Sequence, residues 1–193
     1  MLDIGCNVGG MTWRLAPLCQ QVFAVDYSFR AAYTARRILL RLPEPLEEYR
    51  LLREGLVYET RSLAVEKRPN VEVLVASGMG LPFAPNSFDL THCANVTDVV
   101  NQPELLIDES RRVLQPAGRL ILADPYAWSL GNTPIENWFG GQSGQLSANA
   151  LRSILSAHWD VLASEEQMLW ILRAQDRHFD MWLVDCVLAG KRD

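Results

Sequence analysis

The chain has 193 residues, 49% apolar and 21% charged, with 23 acidic against 18 basic side chains and a net charge of −5. That length fits one domain with a core large enough to fold unaided, and the acidic balance argues against a general nucleic-acid surface, which needs a basic stripe. Cys6, Cys19, Cys93 and Cys186 are scattered without C-x-x-C spacing, so neither a zinc site nor a disulfide framework is expected and no metal is assigned. No apolar run approaches the ~20 residues that span a bilayer, and no secretory leader pattern is present, so a single cytoplasmic domain over 1–193 is the expectation.

In chain order, Leu2–Gly5 reads as a short buried strand running into a Gly-rich turn, and a helix follows over about Met11–Leu18. Gln21–Val25 is a second strand ending in Asp26. Ser28 is a good N-cap for a helix from Phe29 to about Leu42, stopped by Pro43 and Pro45. The stretch 44–69 is charged and long for a connection, and it is expected to carry short helical or hairpin structure. Val71–Val75 is a third strand, Leu81–Asn86 a loop, Phe88–Ala94 a fourth strand and Pro103–Leu114 a helix. Pro116–Gly118 turns into a fifth strand, Arg119–Ala123.

Beyond it, 125–145 is polar, aromatic and Gly-rich, a substrate-side loop by composition. Ser147 is placed as the cap of a helix through Leu155, and Trp159–Ser164 with Met181–Leu188 reads as a final antiparallel pair. Alternating strands and helices imply an α/β fold with a parallel sheet and right-handed crossovers. Met1 already lies inside the first strand, so no N-terminal lid is expected ahead of the turn, and a neighbouring N-terminal domain is expected to be missing.

The segment from Leu2 to Gly10, Leu-Asp-Ile-Gly-Cys-Asn-Val-Gly-Gly, carries the first chemistry. Glycines let the backbone turn sharply and approach a ligand, and a helix N-terminus offers free N–H groups. Asp26, ending the next strand, is placed to accept ribose hydroxyls. Gly5, Asn7 and Gly10 nearly fit the dinucleotide pattern G-x-G-x-x-G, but Asn7 stands where the middle glycine would let a pyrophosphate approach. Asp3 would repel a pyrophosphate and suits an amine-bearing ligand. A dinucleotide oxidoreductase is the weaker reading on both grounds.

This arrangement resembles motif I of the class I S-adenosylmethionine-dependent methyltransferases. Three more blocks align with the type 11 subfamily: Val25–Ser28; Ala76–Phe83 with Asn86–Asp89, similar to G-D-A-x-x-L-P-F…S-F-D; and Glu109–Leu120, similar to E-x-x-R-V-L-K-P-G-G. The resemblance implies a seven-stranded sheet with helices on both faces and an antiparallel last strand. It also implies a cofactor half over about 1–124, with the substrate side over about 125–193. Asp124-Pro125-Tyr126-Ala127-Trp128, Thr133-Pro134…Trp138-Phe139-Gly140-Gly141 and Trp170–Arg173 resemble a group of bacterial small-molecule methyltransferases. Its best-known member is the 4-mercaptohistidine N-methyltransferase domain of ovothiol biosynthesis.

That resemblance implies S-adenosylmethionine as cofactor, with S-adenosylhomocysteine as product. The residues expected to bind it are Asp3, Gly5, Cys6, Asn7, Gly9, Asp26, Tyr27, Ser77, Gly78, Met79, Ala94 and Asn95. Ser77 stands where the family has the Asp that accepts the adenine amino group. Asn95 and Tyr126 are the candidates for positioning the reacting groups, since methyl transfer needs alignment more than a base. Tyr126, Trp128, Trp138 and Arg173 are the substrate candidates, three flat walls and a fork for a carboxylate. His92 is expected to be a satisfied histidine rather than a base, Asp98 a lesser candidate, and Arg111 and Arg112 a solvated face.

The expected reaction is N- or S-methylation of a small amino-acid-like or imidazole acceptor. An RNA methyltransferase and a non-catalytic nucleoside-binding module of a larger protein are the alternatives. The sequence leaves the acceptor and the oligomeric state open.

Overall fold

The structure is a computed structural model and describes residues 1–192. Among these residues a seven-stranded sheet forms the centre, in the order β5-β2-β1-β6-β7-β9-β8. Its strands are β1 (Leu2–Ile4), β2 (Val22–Asp26), β5 (Val71–Val75), β6 (Phe88–Ala94), β7 (Leu114–Asp124), β8 (Trp159–Gln175) and β9 (His178–Lys191). The first five in the sheet run parallel, and β9 is antiparallel to both β7 and β8. This is the α/β Rossmann-like sheet that the resemblance implies, with the expected antiparallel insertion.

Helices α1 (Gly10–Leu15), α2 (Phe29–Leu39), α3 (Pro103–Val113) and α4 (Ser147–Ser156) divide between the two faces. One face buries Cys6, Ala16 and Ala24 under Ala32, Ala35 and Leu39 of α2. The other buries Ile4, Leu120, Leu122 and Val187 under Leu106 and Ile107 of α3 and Leu151 and Leu155 of α4. Helices α2, α3 and α4 each bury an apolar stripe, and burying those stripes holds them on the sheet. The parallel strands all end on one edge, where the loops after β1, β2, β5, β6 and β7 gather.

The elements depart from expectation in several places. Helix α2 stops at Leu39: Leu40 is its C-cap and Arg41 takes φ 59°, a left-handed conformation that ends the helix before Pro43 acts. The 44–69 stretch carries a hairpin, one of the two forms expected of it, β3 (Glu48–Glu54) with β4 (Val57–Ser62). Ser147 does not cap α4; Leu146 precedes the helix without a side-chain cap, and the Ser147 hydroxyl instead accepts from the Trp128 indole N–H at 2.9 Å. The final pair is far longer than Trp159–Ser164 and Met181–Leu188. Register shifts at Val161/Ala163 and Glu165/Met168 break the two-residue alternation that marks a strand in sequence.

Candidate functional site

A cleft of about 650 Å³ opens at the carboxyl edge of the sheet. The turn after β1 forms its floor. Gly5 (φ 76°) and Asn7 (φ 50°) both take left-handed conformations, and the N–H groups of Gly5 and Cys6 both bond to the Val25 carbonyl. A Cβ on Gly5 would lie 2.3 Å from Val96 Cγ2, so the turn and the loop after β6 touch only because this residue is glycine. Asn is among the few side chains that accept positive φ, which is why Asn7 holds its place.

Asp26 closes one end of the cleft. Its Oδ2 accepts the Asn7 N–H at 2.8 Å and its Oδ1 the Ser28 N–H at 2.8 Å. Each oxygen keeps a further lone pair free to accept. Ser28 then caps α2 as expected, accepting from the Ala31 N–H at 3.3 Å. At the opposite wall Ser77 accepts the Met79 N–H at 3.2 Å. The Ser77–Phe83 segment is braced from below by Arg112, which donates to the carbonyls of Leu81 and Phe83 at 2.9 and 2.8 Å and pairs with Glu109. Glu109 in turn accepts the Leu81 N–H, and its bond to Arg112 holds its carboxyl below the ordinary range. Arg112 is therefore not a solvated residue as expected but the strut of the cleft wall.

Of the cofactor residues expected from sequence, Gly5, Asn7, Asp26, Tyr27, Ser77, Gly78, Met79 and Asn95 line this cleft. Asp3, Cys6, Gly9 and Ala94 are not among its lining residues. Asp3 is buried beneath the turn, accepting from the Thr12 hydroxyl and meeting His92 Nδ1 at 2.8 Å. It fixes the loop to α1 and β6, and His92 is a paired core residue. Cys6 packs into the α2-side core, where burial pushes its thiol far above the ordinary range. Gly9 begins α1 at φ 87°, with no room for a Cβ against Leu39. Ala94 is paired in the ladder with Ala123. Sequence reasoning missed Ser28, Ala31, Val96, Val99 and Asn101, which also line the cleft. The residues just after an expected strand end, 95–101, were the signal that could have found the last three.

Asn95 directly follows β6 with φ 56°, its N–H bonded to the Ala123 carbonyl at 2.7 Å. Its side-chain Oδ1 is fully enclosed and has no hydrogen-bond partner among the described residues. A buried acceptor without a donor costs about 1–3 kcal/mol, so it is a group waiting for one.

A second hollow, about 510 Å³, lies over the loop after β7. Tyr126, Trp128 and Trp138 line it as a column of rings, with centroid separations of 6.4 and 5.8 Å and interplanar angles of 24° and 13°. The column is pinned by polar handles: Tyr126 OH donates to Asp185 at 2.6 Å, and Trp138 N–H to the Thr133 carbonyl at 2.9 Å. Arg152 clamps Asp185 with two bonds of 2.8 Å. Burial works against the Asp185 charge, but Arg152 and Tyr126 outweigh it and hold the carboxyl below the ordinary range. Burial and the bond to Asp185 push the Tyr126 phenol far above its ordinary range, so its ring is available and its hydroxyl is not. Arg173 does not join this group. It lies near the turn of the β8–β9 hairpin, where its guanidinium is taken by Asp176, and it lines neither hollow. Asp98 is buried between the two hollows, and burial raises its carboxyl above the ordinary range.

The sequence pattern of the methyltransferase domain matches residues 2–122, more than half of the chain. The chain belongs to the S-adenosylmethionine-dependent methyltransferase family. The matched span of this methyltransferase runs from β1 into β7 and contains the whole first cleft. Its curated relatives include the C-methyltransferase UbiE of Dinoroseobacter shibae, 34% identical over 117 residues, 59% of this chain and 46% of that protein. A hybrid PKS-NRPS synthetase of Talaromyces variabilis is 29% identical over 145 residues, 75% of this chain but 3% of that protein. The methyltransferase thus spans less than half the length of these relatives. Among solved structures, the [4+2]-cyclase SpnF is similar in fold, with a TM-score of 0.64 and 18% identity over 99% of this chain and 74% of that one. S-adenosylmethionine is the family's cofactor, and no helix among the described residues is long and apolar enough to cross a membrane.

Proposed function

We propose that this methyltransferase moves the cofactor's methyl group to a nitrogen or sulfur of a small acceptor bound beside the aromatic column. The carrying observation is Asn95, a residue lining the cofactor cleft whose enclosed Oδ1 has no hydrogen-bond partner among the described residues. The cleft fits the cofactor on its own terms. Its volume falls within the range of small-molecule sites, Asp26 keeps acceptor capacity for ribose hydroxyls, and Ser77 supplies a hydroxyl for the adenine amino group. The bound cofactor supplies an electrophilic methyl on a sulfonium.

The chain's own part is alignment. Asn95 accepts a hydrogen bond from an acceptor N–H, turning the nitrogen lone pair toward the methyl, and the acceptor's proton leaves to water. Tyr126, Trp128 and Trp138 offer flat walls to an imidazole or similar ring. With Arg173 held by Asp176 and Arg152 held by Asp185, no free fork for a carboxylate stands at this hollow among the described residues. That favours the ring over the amino-acid end as the recognised part. A demethylmenaquinone methyltransferase and a ubiquinone/menaquinone biosynthesis C-methyltransferase stand among the relatives, so a planar ring is the feature common to the readings.

The test is transfer of labelled methyl from S-adenosylmethionine to a panel of imidazoles, thiols, quinols and a short RNA. Product from the imidazole or thiol arm supports the proposal. Product from the RNA arm alone, or cofactor binding with no product in any arm, overturns it.

A further inference from the structure

The β8–β9 hairpin runs well past the sheet. β9 pairs with β7 only as far as Asp124–Asp185, while β8 and β9 go on pairing to Gln175–His178. Each register shift adds its extra residue to β8, so β9 alternates without a break. Phe179, Met181 and Leu183 therefore fall on the same face of β9 as Asp185 and Val187. That is the α4 face: Val187 packs in the core with Leu151 and Leu155, and Asp185 is held by Arg152. On β8, Leu169 stands opposite Leu183 and Ile171 opposite Met181. These five apolar side chains make one strip, about 14 Å long and two strands wide. All are open, from 50% exposed for Ile171 to 68% for Met181. The strip starts where the aromatic hollow ends. Asp185, one step along the face from Leu183, accepts the Tyr126 hydroxyl, and Arg152 donates both to Asp185 and to the carbonyl of Ala148 on the hollow's rim. It stops at Arg173, whose guanidinium lies 6.0 Å from the Phe179 ring and is held by Asp176.

We propose that the acceptor is amphiphilic, its ring held at the aromatic column and an apolar tail laid along this strip. The inference rests on the acceptor reading above and names a part of the molecule which that reading leaves open. Continuity chooses the occupant: the strip leads directly out of the acceptor hollow, on the face that Asp185 and Tyr126 share. Chemistry agrees, since the positions from Leu183–Leu169 to Ile171–Met181 are all apolar and the charged groups stand only at the two ends. Area agrees too. A ribbon of five half-exposed side chains offers on the order of 400 Å², the scale of a functional patch on a monomer and about half of the 800 Å² that each partner gives to a standard protein interface. A net charge of −5 disfavours an anionic lipid surface as the alternative occupant.

Titration calorimetry with two probes, 4-methylimidazole and 4-octylimidazole, in the presence of S-adenosylhomocysteine tests this. The octyl compound is expected to bind the wild type at least about tenfold more tightly, because several CH₂ groups leave water. Ile171→Lys with Met181→Glu sets opposite charges across the hairpin and so spares its pairing. It is expected to erase the octyl advantage while far-UV circular dichroism is unchanged and the affinities for 4-methylimidazole and S-adenosylhomocysteine stay within about twofold. Ile171→Leu with Met181→Leu keeps the strip apolar and is expected to keep the advantage. Equal affinity of the wild type for the two probes, or an octyl advantage that survives the charged pair, overturns the proposal. Equal affinity joined to binding of neutral phosphatidylcholine vesicles, lost in the charged pair, would give the face to a membrane instead. The acceptor reading fails separately: an octyl advantage lost in the charged pair, without methyl transfer to either probe, supports the strip and removes the imidazole as acceptor.

Discussion

Thr97 donates its backbone N–H to the Asp124 carboxylate at 3.0 Å, and its hydroxyl donates to the same oxygen. The bond ties the loop after β6 to the end of β7. The other Asp124 oxygen accepts the Tyr126 N–H at 2.7 Å, and Asp98 accepts the Ala127 N–H at 2.8 Å. Two buried carboxylates therefore stitch the loop after β6, which lines the cofactor cleft, to the base of the aromatic column.

Burial, with the nearby Asp98 charge added, raises Asp124 to about 7 in the fold. An unfolded aspartate titrates near 3.9. Between about pH 4 and 7 the folded chain holds a proton that the unfolded chain has lost, so stability falls as pH rises through that window. Asp124→Asn cannot ionise. It is expected to flatten the slope of stability between pH 5 and 8, and to be less stable than wild type by about 1–3 kcal/mol at pH 5, because one backbone N–H then faces an amide NH₂. Urea unfolding at the two pH values measures this, and parallel pH slopes for variant and wild type would refute it.

Asp26→Ala is expected to weaken S-adenosylhomocysteine binding by about 2–4 kcal/mol, the value of two hydrogen bonds to a charged acceptor. The structure adds a stability cost of about 1–2 kcal/mol, since Asp26 also holds the N–H groups of Asn7 and Ser28. Titration calorimetry separates the two effects when run beside thermal unfolding. Unchanged affinity would remove Asp26 from the cofactor site.

Much of this cleft was legible because its residues follow from local rules. A strand, a Gly-rich turn, a helix cap and an acid at the next strand end all fall within the first 28 residues. Ser28 caps as read, and Asn7 takes the positive φ its type allows. What was not legible depends on how the chain folds back, over a long separation or within a tight turn. Arg112 reads as a surface residue until the loop at Leu81–Phe83 is laid over it. Arg173 reads as a free fork until the turn brings Asp176 to it. The length of the final hairpin was hidden because its bulges interrupt the alternation and its apolar residues face no core.

Arg112→Met keeps most of the side-chain volume and removes the strut under Leu81 and Phe83. With a third of the Arg112 side chain exposed, solvent already screens part of its pairing with Glu109. The expected loss of stability is about 1–2 kcal/mol. Cofactor affinity should fall with it, because the Ser77–Met79 wall is no longer held. A variant that loses stability but binds S-adenosylhomocysteine as the wild type does would show that the wall needs no strut.

Ser77→Asp is expected to tighten the cofactor or leave it unchanged. The aspartate can accept the Met79 N–H as Ser77 does and adds charge assistance toward the adenine amino group. Clear weakening by calorimetry would mean that adenine does not lie against this residue.

Asn95 offers the sharpest separation of binding from chemistry. Its backbone takes φ 56°, so alanine would add strain to the loss of the carboxamide. Asn95→Gly keeps the conformation and removes only the side chain. Relieving an enclosed, unpartnered oxygen costs the resting protein nothing, so stability should hold or rise slightly. S-adenosylhomocysteine affinity should stay within about twofold if Asn95 faces the acceptor rather than the cofactor. The rate of methyl transfer should fall by about ten- to a hundredfold, the value of one positioned hydrogen bond made as the nitrogen aligns. Single-turnover transfer measured beside cofactor titration decides between the roles. A loss confined to cofactor affinity would assign the oxygen to the cofactor, and an unchanged rate would remove Asn95 from the reaction.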